Sequence, residues 1–153
     1  TRPLLDSSGY THFLPEADVF DAHDYEQNPK AFAARYALFG ETGCDPWHNN
    51  PVEPHNRYRG QPFFVSEYGG IHVKTARDTG IGWGYDGAGL SADDFLARYQ
   101  GLTDVLLDNP NMFGFCYTQL TDIEQEQNGI YFYDRRAKFD MARIKRIFTR
   151  EPR

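Results

Sequence analysis

With 153 residues and 17.6 kDa the chain is the size of one domain, 40% apolar and 25% charged, and it has no uninterrupted apolar run of membrane-spanning length. Its two cysteines, Cys44 and Cys116, form no CxxC pair, which excludes a disulfide-built scaffold and a zinc ribbon. The net charge of −6 is unevenly placed: residues 1–134 carry eight Lys/Arg against twenty Asp/Glu, and residues 135–153 carry eight against two.

In chain order, residues 1–9 are one candidate strand with its loop. Ala17 to Tyr25 reads as a short strand with a polar, aromatic end. Asn28-Pro29 opens a helix as cap and first-turn proline, with Phe32, Tyr36 and Phe39 as its apolar stripe and Gly40 as its stop. Residues 41–60 hold three prolines and no periodicity, so they read as a long loop. Pro62 to Ser66 is a near-continuous apolar run, the pattern of a strand buried on both faces. A helix over 91–108 follows, with Ser91 and Asp94 in capping-box positions. Met112 to Tyr117 is a third strand, and Asn128-Gly129 predicts a turn into a hairpin arm at Ile130 to Tyr133. Met141, Ile144, Ile147 and Phe148 keep helical spacing. The cations Arg143, Lys145, Arg146 and Arg150 therefore read as the wet face of a terminal helix rather than a nucleic-acid surface, and the acidic body would repel phosphate.

Strands of the buried type alternating with helices predict parallel α/β. Four such units are half of an eightfold barrel, whose usual length is about 250 residues. The chain opens on Thr1 with neither a Met nor a basic-then-apolar leader, which agrees with a piece of something longer. Barrels of this type place their active sites at the carboxyl ends of the strands. Three strands here end in chemistry: His23-Asp24-Tyr25, Ser66-Glu67-Tyr68 and Tyr117-Thr118-Gln119. Glu67, a carboxylate carried from a dry strand to two glycines, is the informative one; the alternative is a carboxylate paired with a cation or capping a loop.

The runs PFFVSEYGG, GWGYDG and GFCYTQLTDIEQEQNGIYFYDRRAKFD resemble the catalytic barrel of glycoside hydrolase family 2, which includes β-galactosidases, β-glucuronidases and β-mannosidases. TRPLLDSSGY and HDYEQNP fit the same pattern. The resemblance implies a (β/α)8 TIM barrel of which this chain is the C-terminal half, strands five to eight. It makes Glu67 the nucleophile at the end of the seventh strand and Tyr25 the tyrosine that hydrogen-bonds it. Tyr117 falls where the family commonly carries a tryptophan in the sugar floor, and His23, Asp24 and Gln119 become residues of the mouth. A retaining glycosidase needs two carboxyl groups about 5–5.5 Å apart, one ionised and one protonated. The family's acid follows an Asn on the fourth strand, and this chain has no Asn-Glu dipeptide. The expectation is half of a catalytic pair, inactive alone, with the acid supplied by the missing half.

Gly82 to Gly87 matches GxGxxG formally, but Trp83 and Tyr85 occupy places where a phosphate needs bare backbone. It reads instead as a loop presenting Trp83 to a sugar, or packed on its own aromatics. Asp122, Glu124 and Glu126 read as a solvated face or as partners of Arg135 and Arg136 rather than a metal site; no cofactor is implied. Cys116 reads as a packing residue. Beside the hydrolase stand two other readings: a carbohydrate-binding fragment using Trp83, Tyr117 and Tyr25, and a structural half-barrel. The partners expected are a carbohydrate and either the missing half or a second copy of the chain, with no nucleic acid and no membrane. The unpaired cysteines lean cytoplasmic.

Overall fold

The computed structural model describes residues 2–6, 9–76, 80–87 and 89–153. Three strands, β1 (Phe20–Asp24), β2 (Phe63–Gly69) and β3 (Met112–Thr118), form one all-parallel sheet in the order β1-β2-β3. The connections carry α1 (Pro29–Tyr36) and α2 (Ala92–Leu107), and α3 (Met141–Phe148) follows β3.

Local side-chain chemistry starts each helix. Asn28 accepts from the backbone N–H groups of Lys30 and Ala31 with Pro29 in the first turn, Ser91 accepts from Asp94, and Asp140 accepts from Ala142. Each then buries one stripe against the sheet or a neighbouring helix: Phe32 and Tyr36 from α1, Phe95, Tyr99, Leu102 and Leu106 from α2, Ile144 and Ile147 from α3. Phe20, Ala22, Phe63, Val65 and Tyr68 supply the sheet's side of this core. Arg150, expected on a wet face, instead binds back to α2. Its Nε donates to Asp104 and its two terminal nitrogens to both carboxylate oxygens of Asp108, all at 2.7 Å.

Two elements differ from expectation. The strand expected within residues 1–9 is a single parallel bridge, Leu5 to Val19, beside β1; Thr1, Ser7 and Ser8 lie outside the described residues. The hairpin arm at 130–133 is absent as a strand. Asn128 is buried, and the chain folds back so that Tyr131 N–H donates to Leu120 and Asp122 N–H to Tyr131, at 2.9 and 3.0 Å. Gly129 serves close approach here rather than a hairpin turn: a Cβ would stand 2.3 Å from the Asp122 nitrogen and 2.4 Å from the Thr121 carbonyl carbon. Buried Lys138 fastens this fold, its ammonium 2.6 Å from Asp122 and 3.0 Å from the Gln127 carbonyl oxygen. Asp122 is thus paired with Lys138, while Arg136 binds its neighbour Asp134. Among the described residues no cluster of metal-ligating side chains forms, and no helix is long and apolar enough to cross a membrane.

Candidate active site

The site lies at the carboxyl ends of β1 and β2, where strand registry decides which side chains emerge. Ala22 pairs with Val65, but His23 pairs with Glu67, so Ser66 is the extra residue of a bulge. Val65 and Tyr68 both remain fully buried on the helix side. With plain alternation, Glu67 would share the face of Val65; the bulge releases it. Its side chain is 38% exposed.

Two groups at the end of β1 face the carboxylate. The Tyr25 hydroxyl donates to Glu67 Oε2, and His23 Nδ1 lies 3.6 Å from the same oxygen. Thr118, at the end of β3, reaches the Tyr25 hydroxyl. Burial and hydrogen bonds with Glu67 and with Tyr85 raise the Tyr25 phenol far above its ordinary range, so it remains a proton donor at any working pH. Partial loss of water and the Glu67 charge likewise push the Cys116 thiol up. Cys116 is itself exposed rather than packed.

The surrounding loops hold this end in place. Asn49 accepts from the His23 N–H at 2.9 Å, and Gln27 donates to the carbonyls of Gly69 and Tyr25 at 2.6 and 3.0 Å. The loop at 82–87 is stitched to the segment after β3 by Trp83 N–H to Gln125 and Gln127 N–H to Trp83, at 2.8 and 2.9 Å. It presents Trp83 and Tyr85, which are 44% and 46% exposed. The Tyr85 ring lies flat on Tyr25, with centroids 3.5 Å apart and planes 6° apart. Trp83 meets Tyr85 edge-on at 5.7 Å.

Glu67, Tyr25, His23 and the Trp83 loop therefore converge, and three other expected site residues do not join them. Asp24 is fully buried behind the sheet, where it accepts from Arg35, from Tyr36 Oη at 3.0 Å and from the Glu26 N–H at 3.0 Å. Tyr117 is a core residue: its ring packs edge-on against Tyr99 at 5.0 Å, and its hydroxyl donates to the Asn128 carbonyl at 3.1 Å. It cannot present a face to a sugar from there. Gln119 borders an apolar groove of about 350 Å³ between β3 and α3, with Leu120, Ile130 and Phe148, and its buried Nε2 has no hydrogen-bond partner. Tyr85, Gln27 and Asn49 were not singled out as site residues from sequence. Only Tyr85 had a signal, as the second aromatic of the glycine-hinged loop.

A carboxylate oriented by a phenol, open on one side and bordered by aromatic faces, can attack an electrophilic carbon or stabilise a cation beside it. Of the other carboxylates, Asp24 and Glu26 are bound by Arg35 and Asp122 by Lys138.

No family model matches the chain, and no curated protein matches it. Solved structures do. A GH2 β-galacturonidase from Eisenbergiella tayi bound to glycerol aligns with a TM-score of 0.58 at 13% identity, over 94% of this chain and 26% of that one. A β-glucuronidase from Bifidobacterium dentium complexed with coumarin-3-O-glucuronide aligns at 0.52 and 18% identity, over 88% and 21%. Bacteroides uniformis β-glucuronidase aligns at 0.51 and 16%, over 80% and 14%. At these identities the likeness is one of fold. The chain spans about a seventh to a quarter of the length of these structures.

Proposed function

We propose that this chain is the carboxyl-terminal half, strands five to eight, of a (β/α)8 glycoside hydrolase barrel, and that it takes part in retaining hydrolysis of β-glycosides. Glu67 is the nucleophile and Tyr25 positions it. The observation that carries this reading is the Tyr25–Glu67 hydrogen bond at the carboxyl ends of two neighbouring parallel strands. Fold likeness to GH2 enzymes that act on β-uronides supports the reaction class.

In the mechanism, Glu67 attacks the anomeric carbon and forms a glycosyl ester as the leaving oxygen departs. Water then attacks the anomeric carbon from the face the leaving group vacated and releases Glu67, so that the two inversions retain the β configuration. Tyr25, held protonated, orients Oε2 during attack and stabilises the carboxylate when it leaves. Protonating the leaving oxygen requires a second carboxyl group. Asp24, Glu26 and Asp122 are held by cations; as in the family this chain resembles, that group is assigned to strands one to four, so the isolated chain is expected to be inactive.

The test is hydrolysis of chromogenic β-glycosides and β-uronides by the chain alone and mixed with a matched amino-terminal half-barrel. The expected result is turnover only in the mixture, lost in Glu67→Gln. Turnover by the chain alone would place the acid within these 153 residues and overturn the half-site reading. A carbohydrate-binding module is the second reading, favoured by the exposure of Trp83 and Tyr85; it expects glycan binding that survives Glu67→Gln with no turnover in any mixture.

A further inference from the structure

The face-on contact between Tyr25 and Tyr85 has no role in the mechanism above, yet the chain is shaped to make it. Tyr85 lies sixteen residues beyond the end of β2, and its backbone is fixed there. Its N–H donates to the Gly70 carbonyl at 2.8 Å. The next turn is held in the same way, with Asp86 Oδ1 accepting from the His72 N–H at 2.8 Å. Gly70 sits beneath the stack with φ of +57°. A Cβ there would come within 2.4 Å of Tyr85 Cδ2 and 3.1 Å of Tyr25 Cε1, so any larger residue would pry the rings apart. Centroids 3.5 Å apart with planes 6° apart leave no room for water between the rings. Trp83, edge-on to Tyr85, backs the loop from the side.

We infer that Tyr85 is a positioning residue for the Tyr25–Glu67 pair, clamping the phenol in the plane from which its hydroxyl meets Glu67 Oε2. The inference rests on the reading of Glu67 and Tyr25 as the reacting pair. A tyrosine ring has two soft torsions, and an unclamped ring at a half-open site would exchange its bond to the carboxylate for one to water. The stacked face removes that freedom, and it removes water from one side of the phenol. Burial of Tyr25 and a hydrogen bond with the Tyr85 side chain both favour the protonated phenol. The clamp itself is the flat face of the Tyr85 ring, which a phenylalanine would keep.

The test needs no turnover. The chain is prepared with 3-fluorotyrosine, the fluorine resonance of Tyr25 is assigned by its loss in Tyr25→Phe, and its exposure to water is read from its change in chemical shift between H2O and D2O. In Tyr85→Phe, which keeps the flat face, that isotope shift should stay near that of the unsubstituted chain. In Tyr85→Leu, which keeps bulk without the flat face, and in Tyr85→Ala, it should rise towards that of free 3-fluorotyrosine. Circular dichroism identifies any variant that has not folded, and the Leu variant decides if the Ala variant fails. An isotope shift of Tyr25 in folded Tyr85→Leu equal to the unsubstituted value would overturn the clamp. Because the signal is independent of hydrolysis, that result would leave the assignment of Glu67 intact, and loss of the Glu67 assignment would leave the coupling of the two rings intact.

Discussion

Tyr25 and Glu67 come from adjacent parallel strands 42 positions apart, yet the phenol of one donates directly to the carboxylate of the other. The bulge at Ser66 makes this possible by pairing His23 with Glu67 instead of with Ser66. One inserted residue thereby turns a carboxylate from the helix side of the sheet to its open end.

Removing that hydrogen bond alone should slow chemistry more than binding. A bond to a charged group contributes about 1.5–3 kcal/mol, so Tyr25→Phe in the completed barrel should lower kcat by roughly 10- to 100-fold with little change in KM. Steady-state kinetics on a chromogenic substrate measures it. Because burial and Glu67 keep the phenol protonated, the loss should be the same across the working pH range.

Asp24 gives a prediction about stability rather than catalysis. It is fully buried, and burial pushes its carboxyl above the ordinary 3.8 despite opposing help from Glu26 N–H, Arg35 and Tyr36. A carboxyl raised in the folded state binds its proton more tightly there than when unfolded. Its charge therefore costs nothing below the unfolded value and becomes a drain on stability as pH rises. Arg35, itself lying over Trp47 at 4.4 Å, offsets that drain. Arg35→Met should thus cost about 3 kcal/mol at pH 7, where it strands a buried charge, and much less near pH 4. Urea midpoints at the two pH values check this; a deficit independent of pH would mean that Arg35 acts by packing alone.

The helices were legible because their signals are local. Asn28-Pro29, Ser91 and Asp140 announce helix starts through bonds to residues two or three positions ahead, and those bonds form. The three strands were legible as apolar runs. Facing was harder to read. Tyr117 and Asp24 stand at strand ends beside residues that do face the open end, but whether a side chain emerges or packs depends on registry across strands. The register shifts at Ala22/His23 and between Val65 and Tyr68 leave no mark in any single strand. The hairpin expected at Asn128-Gly129 failed for a related reason. The glycine is required by a backbone 2.3 Å from its would-be Cβ, a tertiary demand that an Asn-Gly pair does not disclose. The Tyr85 stack was invisible because it joins two aromatics 60 positions apart.

The most direct measurement is covalent trapping. The chain, completed with an amino-terminal half-barrel, is incubated with a dinitrophenyl 2-deoxy-2-fluoro-β-glycoside, whose leaving group departs without an acid. Attack forms an ester between a carboxylate oxygen and the anomeric carbon and releases dinitrophenolate, and the slowed second step lets the ester accumulate. Peptide mass spectrometry should find the adduct on Glu67, and none in Glu67→Gln. An adduct on another carboxylate, or labelling undiminished in Glu67→Gln, would contradict the assignment of the nucleophile and with it the account of this site.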